Sequence, residues 1–558
     1  MKIIFILLQF IGFLLAIVPT PKEYSNGDSF LILNNDISIN SPDFATTLIE
    51  NTINNIKQSQ HRRLSIGLGG EDIEQLSLAT SFINNLEVTI DDSTSIQDIF
   101  NQPIDQRNEQ YTLNIPDDGD DVTAVITSNN ILGLHRALAT FEQLFYVNPS
   151  DSDQHYINNA PIEIEDEPEF GWRSIMLDTS RNYYKKDSLK DLIKAMAFVK
   201  LSVFHWHITD QHSWPLVTDV HPELYEKGSY PGMLYTQEDV DEVITFGQEN
   251  GVDVVIELDL PGHTQSVAES HADLVSCIDR RPWSNYAAEP PAGQLNLENE
   301  AVLPFVKEIL DDLLPRTKSH YFGTGGDELN PACYDMTTET LAPLVRDFQE
   351  QLTEKLNEYG KVGVVWHELS TEYEMPLPDG TLVINWSTAD FTSEILSAQP
   401  EGVKIIHAAS DYMYLDCGTG GWLGGAPDGT SWCDPFKSWQ KIYSFDAYAN
   451  MSENDKARVA GGETTLWSEQ SDSANFESLL WPRAAAGAEV FWTHPSPESR
   501  TTNADDALFR MHDVRYRLVD RDVHAAALQP LWCAVRPVSN YMNNKQINEC
   551  EVSRVGYY

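Results

Sequence analysis

Basic charge is what this 558-residue chain has least of: 37 Lys and Arg stand against 85 Asp and Glu, a formal net charge of −48. Nucleic-acid binding needs basic stripes that displace counterions from phosphates, and none is present. An anionic membrane surface would repel the chain for the same reason. Cysteine is scarce, six residues with no Cys-x-x-Cys pair, so zinc-ribbon and thioredoxin-type readings fail. No Gly-x-Gly-x-x-Gly or phosphate loop opens a helix, and no Gly-x-Ser-x-Gly elbow marks a serine hydrolase. Tryptophan is missing before Trp172, and no apolar run beyond the N-terminus approaches a membrane span. Apolar residues at 41% and aromatics at 10% are nevertheless globular values. The acid excess fits a protein dispersed by self-repulsion, or one whose carboxylates are partly protonated in an acidic compartment.

Met1-Lys2 followed by the apolar run Ile3 to Val18 and by Pro19-Thr-Pro21 reads as a cleaved leader over residues 1–18, cut near Ala16 to Pro19. A retained anchor is the alternative. The mature chain is then expected in an oxidising compartment, secreted or in a lysosomal or vacuolar lumen. Six cysteines allow fifteen pairings. Sequential pairing, Cys277–Cys333, Cys417–Cys433 and Cys533–Cys550, is simplest because each closes a fairly short loop.

Strand-like alternation at Ser65-Ile-Gly-Leu, Tyr111-Thr-Leu-Asn-Ile and Asp121-Val-Thr-Ala-Val-Ile precedes an amphipathic helix carrying Ile131, Leu134, Leu138, Phe141, Leu144 and Phe145. This is a small α+β domain, its last element ending near Tyr146 and its boundary placed at 19–165. Asn148-Pro-Ser-Asp-Ser-Asp-Gln reads as a polar connector. From residue 166 to 558 short apolar strands alternate with helical stretches: Ser174–Ser180, Val203–Asp210, Val252–Leu260, Tyr321–Glu328, Val362–Glu368, Leu382–Ser387, Val403–Ser410 and Val459–Trp467. Eight strands alternating with helices over some 300 residues point to an α/β fold, a (β/α)8 barrel preceded by the smaller domain. A doubly wound open sheet is the alternative.

Barrels place chemistry at the C-terminal ends of their strands. There this sequence collects Asp178, Arg181, His207, Asp210, Asp259, His263, Asp327, Glu328, Glu368, Trp386, Asp416 and Glu469. Carboxylates with tryptophans suit carbohydrate, since rings stack on the apolar sugar face and acids accept hydroxyl hydrogens. Asp327-Glu328 would mean little in so acidic a chain, but Gly325-Gly326 directly before them allow a sharp turn and a close ligand. His205 and His207 share one strand face. A packed strand end explains them better than a metal, for which no third ligand stands at a typical spacing. His263, flanked by acids, suits a proton relay. Trp366, Trp386 and Trp467 at one barrel end would make a small aromatic cage.

These residues carry a resemblance. Gly171-Trp-Arg173, Leu177-Asp-Thr-Ser-Arg181, His205-Trp-His207, Asp259-x-Pro-Gly-His263, Gly325-Gly-Asp-Glu328, Tyr414-Leu-Asp416-Cys-Gly, Ser431-Trp-Cys433 and Leu466-Trp467-Ser-Glu469 occur in order. Together they make the chain similar to β-N-acetylhexosaminidases of glycoside hydrolase family twenty, nearest the fungal secreted type. The resemblance implies an exo-acting, substrate-assisted retaining hydrolase of terminal N-acetylhexosamine, from chitooligosaccharides or glycoconjugate termini, without metal or other cofactor. It makes Glu328 the general acid and base, and Asp327 the group that holds the acetamido N–H and offsets developing positive charge. Tyr414 would donate to the acetamido oxygen within walls from Trp366, Trp386 and Trp467. Arg173, Asp416 and Glu469 would hold ring hydroxyls, with Asp210, Asp259 and His263 supporting the acid pair. The family's disulfide pattern agrees with sequential pairing, and its members often pair, which leaves a homodimer open.

Two departures stand out: Gly323 where the family commonly has His, and Gln211 where a second acid often follows Asp210. A non-catalytic glycan-binding protein would be expected to lack Asp327 or Glu328. An endo-acting chitinase would want an Asp-x-x-Asp-x-Asp-x-Glu motif, which is absent. Of two glycosylation sequons, Asn385-Trp-Ser and Asn450-Met-Ser, the first adjoins a pocket residue, leaving Asn450 as the expected acceptor.

Overall fold

The computed structural model describes residues 16–64, 71–117, 119, 121–493, 504–540, 545–548 and 550. The expected leader up to residue 15 and the strand expected at Ser65-Ile-Gly-Leu lie outside the described residues. The chain forms two compact units, one of residues 1–93, 108–168 and 501–558, the other of 94–107 and 169–500.

The first unit is a six-stranded sheet, β1 (Glu23–Asn40), β2 (Phe82–Ile90), β3 (Tyr111–Ile115), β4 (Asp121–Ser128), β5 (Tyr146–Asn148) and β6 (Asp151–Asp166), in the order β1-β2-β4-β3-β6-β5. Burial alternates residue by residue along β3 and β4, as the sequence pattern requires of a sheet with one covered face. The helix Ile131–Gln143 starts at Asn130, whose side chain accepts from Leu132 and Gly133 N–H groups, and it is buried along most of its length. The polar stretch after Tyr146 is no connector. It is the turn of the β5–β6 hairpin, and Glu163 and Glu165 lie on the exposed face of β6.

The domain boundary also changes. The helix Ala504–Asp520 belongs with the first unit, where Asp513 meets His61 Nε2 at 2.9 Å and Arg517 donates to Asp513 at 2.6 Å and to the Phe145 carbonyl at 3.0 Å. Sequence order hides this, because a helix that follows the barrel strands carries no mark of which core it completes. Conversely, residues 94–107 belong with the second unit rather than with 19–165.

The second unit is a closed barrel of eight parallel strands: β7 (Trp172–Asp178), β8 (Val203–Thr209), β9 (Asp253–Leu258), then, after a ribbon of β10 (Val275–Ser276) and β11 (Gln294–Leu295), β12 (Tyr321–Gly325), β13 (Val362–Trp366), β14 (Leu382–Asn385), β15 (Lys404–His407) and β16 (Val459–Leu466). All eight expected strands are present, and the residues expected at their ends begin the following loops. Register sets Asp178 beside His207, and Glu257 beside both His207 and Gly323, so one layer of the interior is polar. Below it Trp172, Met176, Val203, Val255, Tyr321 and Val364 fill the barrel. Ile104 packs against this layer from the 94–107 segment, and its N–H donates to Tyr321 Oη at 3.0 Å.

The disulfides are Cys277–Cys333, Cys417–Cys433 and Cys533–Cys550, the sequential set. Among the described residues no helix is long and apolar enough to cross a membrane.

Candidate active site

The acid pair is presented by the turn out of β12. Gly325 and Gly326 adopt φ of 69° and 101°, in the left-handed region that glycine tolerates. A Cβ at Gly325 would stand 2.1 Å from Asp259 Oδ1, and one at Gly326 would stand 2.7 Å from Leu369 Cγ. The chain must pass this close for Asp327 and Glu328 to leave the strand end together. Glu328 is itself at φ 48°, an uncommon conformation for a side chain of its size, which strands and loops over-determine here. Asp327 is nearly buried, its side chain 9% exposed, whereas that of Glu328 is 32% exposed. One carboxylate is thus enclosed and its neighbour faces the opening.

A file of alternating charges runs from the barrel interior to this pair. Ser174 donates to Glu463 at 2.7 Å, and His205 bridges Glu463 and Glu257 at 3.1 and 2.5 Å. His207 bridges Glu257 and Asp210 at 3.3 and 2.8 Å, and Arg181 pairs with Asp210. His263 then faces Asp210, Asp327 and Glu328 at 3.6, 3.6 and 3.5 Å. Burial works against the charged form of each histidine, but the carboxylates overcome it. His205 is held up at about 9, with Glu463 and Glu257 responsible, and His207 and His263 are likewise raised. Where cations outweigh burial, at Asp210 through Arg181 and at Glu257 through His205, the carboxyl lies far below its usual range. Farther out burial wins: Asp327 is pushed up to about 6, Asp416 to about 7, and Asp259, Glu368 and Glu469 are raised as well. Interior carboxylates are therefore paired anions, and those at the mouth are short of counter-charge.

Around the pair lies a cavity of about 320 Å³ lined by Arg181, His263, Glu289, Asp327, Glu328, Trp366, Trp386, Tyr414, Trp432, Trp467 and Glu469. Trp366 donates its indole N–H to Glu257 and Trp386 donates to Glu368, both at 2.8 Å, so their polar edges are satisfied in the wall. Trp366 and Trp467 stand 6.0 Å apart at 34°, and Tyr414 is buried beside Trp467. One Asp327 oxygen, one Asp416 oxygen and both His263 nitrogens are buried without a hydrogen-bond partner. Buried polar atoms are rarely left so, and those of Asp327 and His263 lie at the wall of this cavity.

Comparison with known proteins decides the family. The glycosyl hydrolase family 20 catalytic domain matches residues 170–495, and a beta-acetyl hexosaminidase-like domain matches 17–144. The chitooligosaccharidolytic beta-N-acetylglucosaminidase of Ostrinia furnacalis is 36% identical over 453 residues, covering 77% of this chain and 74% of its own. The chain belongs to glycosyl hydrolase family 20. A beta-hexosaminidase of the fungus Arthroderma benhamiae is also 36% identical, over 456 residues, covering 77% and 73%, so insect and fungal relatives stand level. The Streptomyces plicatus N-acetyl-beta-hexosaminidase structure shares the fold at TM-score 0.71, with 22% identity over 93% of this chain and 97% of that one.

Within this family 20 hydrolase the structure brings Asp327, Glu328, Trp366, Trp386, Tyr414, Trp467, Glu469 and His263 to one cavity. Asp416 sits with Glu469 and Trp467 in an adjoining cavity of about 210 Å³. Asp259 and Asp210 stand behind the acid pair. Arg173 does not belong to the site. It lies at the opposite end of β7, fully buried, donating to the carbonyls of Phe170 and Gly171 at 2.6 and 3.1 Å and of Lys200 at 3.0 and 2.9 Å. Its guanidinium lies over Trp492, 4.7 Å from the ring centroid. The arginine of the pocket is Arg181, which follows the last residue of the same strand by three and is clamped by Asp178, Asp210 and Glu289. Position relative to the strand end was the available signal: Arg173 is the second residue of β7 and Arg181 lies beyond its last.

Glu289 and Trp432 complete the lining and were not expected there. Glu289 comes from a long loop with no periodic pattern, tied down by Gln211, whose amide donates to it at 3.1 Å. The departure at Gln211 thus orders the rim. The departure at Gly323 is absorbed inside the barrel, where a Cβ would stand 2.6 Å from that of Glu257. Asp259, His263 and Asp327 have ligand-capable atoms within 4.8 Å of one another, as do His207, Asp210 and Asp259. Asp210 is already paired with Arg181 and His207, whereas Asp259 and Asp327 keep buried oxygens without a hydrogen-bond partner.

Proposed function

We propose that this family 20 hydrolase removes terminal non-reducing β-linked N-acetylhexosamine with the acetamido oxygen of the substrate as nucleophile. The observation that carries this is the acid pair itself. Enclosed Asp327 has one oxygen without a hydrogen-bond partner and the other 3.6 Å from His263, while Glu328 faces the opening next to it. A buried carboxylate with an open acceptor can take the acetamido N–H and offset the charge that builds on the oxazolinium-like intermediate. Glu328 protonates the departing oxygen and then takes a proton from water. Tyr414 donates to the acetamido oxygen between the indole walls. Arg181, Asp416 and Glu469 hold ring hydroxyls of a terminal sugar. His263 links Asp210 to both acids.

Its chitooligosaccharidolytic relatives support a chitooligosaccharide or other N-acetylglucosaminide substrate. Ile17 and Val18 are buried, and Gln143 brackets Val18 through its N–H and carbonyl, so leader cleavage falls on the N-terminal side of the expected range. Glycosylation at Asn450 fits its exposed side chain. Asn385 is buried, with its amide donating to Thr388 O and Thr392 Oγ1 at 3.2 and 2.9 Å.

The test is chromophore release from aryl β-N-acetylglucosaminide, β-N-acetylgalactosaminide and β-glucoside. An internal nucleophile supplies up to about 7–11 kcal/mol, so the glucoside should show almost no turnover even at saturation. Comparable kcat on the glucoside, or a sugar ester trapped on any Asp or Glu, overturns the reading.

A further inference from the structure

Outside the pocket, two histidines and two glutamates converge on one aromatic base. His221 precedes the helix Glu223–Gly228, His271 ends the helix Gln265–His271, and Glu308 and Phe305 lie on the helix Val302–Leu313. The rings of His221 and His271 stand 5.5 Å apart at 86°, and both rest on Phe305, at 4.6 and 4.8 Å. One ligand-capable atom from each of His221, Glu223 and His271 lies within 4.8 Å of the other two. We propose that His221, Glu223 and His271 form a binding site for a divalent transition metal of the zinc class, with Glu308 and Ser270 orienting the imidazoles. None of these residues lines the sugar cavity.

Three observations carry the assignment. First, His271 Nε2 faces Glu223 Oε1 at 3.3 Å, while Ser270 Oγ lies 2.9 Å from Nδ1 and donates its own proton to the Val267 carbonyl at 3.3 Å. Where the hydroxyl accepts from Nδ1–H, Nε2 presents its lone pair to a bound ion beside the Glu223 carboxylate. Two acceptors so placed call for a cation.

Second, Glu308 accepts from His221 Nε2 at 2.9 Å. Metal-bound histidines characteristically have a carboxylate or hydroxyl on the other nitrogen, fixing tautomer and ring plane. Third, the frame is held in place. Thr218 donates to the His221 carbonyl at 3.3 Å, and Asp219 N–H donates to Asp312 at 3.0 Å. The three side chains keep 17%, 39% and 20% of their surface, enough for an ion to enter and retain water as a fourth ligand. Two imidazoles and one carboxylate suit zinc better than calcium or magnesium, which prefer oxygen alone.

The experiment is calorimetric titration of the chelator-stripped full-length enzyme with zinc chloride near pH 7.5, in parallel with the His221→Ala/His271→Ala double variant and Ser270→Ala. Expected are one fewer zinc equivalent in the double variant and at least tenfold weaker binding to that site in Ser270→Ala. The metal-free variants should keep wild-type kcat on aryl N-acetylglucosaminide, which shows that they fold and separates this site from the catalytic acids. Identical stoichiometry and affinity in wild type and double variant, or no zinc bound by wild type, overturns the proposal.

Discussion

Each end of the barrel holds a buried arginine, and the two are used in opposite ways. At the N-terminal end Arg173 gives its N–H groups to backbone carbonyls of residues 170, 171 and 200, and Arg107 pairs with Asp253 at 2.9 Å. At the C-terminal end Arg181 is surrounded by carboxylates, while Asp259, Asp327, Glu368 and Asp416 retain buried oxygens without partners. Unpartnered polar atoms cost free energy, so an end that keeps several of them is held for a ligand rather than for stability. Identical chemistry thus separates by context into a structural arginine and a binding one.

The comparison breaks most visibly at the acids. Asp327→Asn should lower kcat about 10²–10³-fold with little change in KM, because charge stabilisation is needed most in the transition state. Glu328→Gln should lower kcat about 10²–10⁴-fold on chitooligosaccharides and far less on activated aryl glycosides, whose leaving groups need no proton. Equal loss on both substrates would remove Glu328 from the acid role.

Next come the arginines. Arg181→Lys keeps the charge but not the planar fork, and should cost about 10–100-fold in kcat/KM, mostly through KM. Arg173→Met should leave kcat within about twofold while destabilising the barrel by about 3 kcal/mol, since several carbonyls lose their donors at once. A variant of Arg173 that is stable and inactive would reverse the assignment of the two ends.

Arg173 and Arg181 differ only in which end of one strand they occupy. Alternation of apolar strands and helices, the paired glycines before Asp327 and the tryptophans at strand ends are local signals, and they carried the barrel and the cage. The motif around Trp172 contains Arg173 and Arg181 only eight residues apart. Composition cannot choose between them, because the choice depends on which end of β7 each occupies. Similarly, the helix Ala504–Asp520 is amphipathic in sequence, yet which core receives it depends on the distant partners His61 and Phe145. Glu289 was hidden for a different reason: its loop is positioned by Gln211 and the Cys277–Cys333 bridge, not by any periodicity.

The smallest expected effect sharpens the contrast between function and stability at a single residue. Burial raises the Asp327 carboxyl from 3.8 to about 6, with His263 opposing and Glu328 adding to the rise. Between these values the folded chain keeps a proton that the unfolded chain has released. Stability must therefore fall as pH rises from about 4 to about 6, with the full cost of ionising Asp327, about 1–3 kcal/mol, present above that window. Asn at this position cannot ionise, so Asp327→Asn should raise the apparent Tm by a few degrees at pH 7 and by nothing near pH 4. Activity has the opposite slope, since the carboxylate is the form that stabilises the oxazolinium. Wild-type kcat/KM should rise through about pH 6 over the same window in which Tm falls. Differential scanning calorimetry and kcat/KM, measured across pH 4–8 for both proteins, check the two slopes together. A variant whose Tm tracks wild type at every pH would show that Asp327 is not the residue holding that proton, and a wild-type optimum at pH 8 or above would remove the protonated Glu328 on which the mechanism depends.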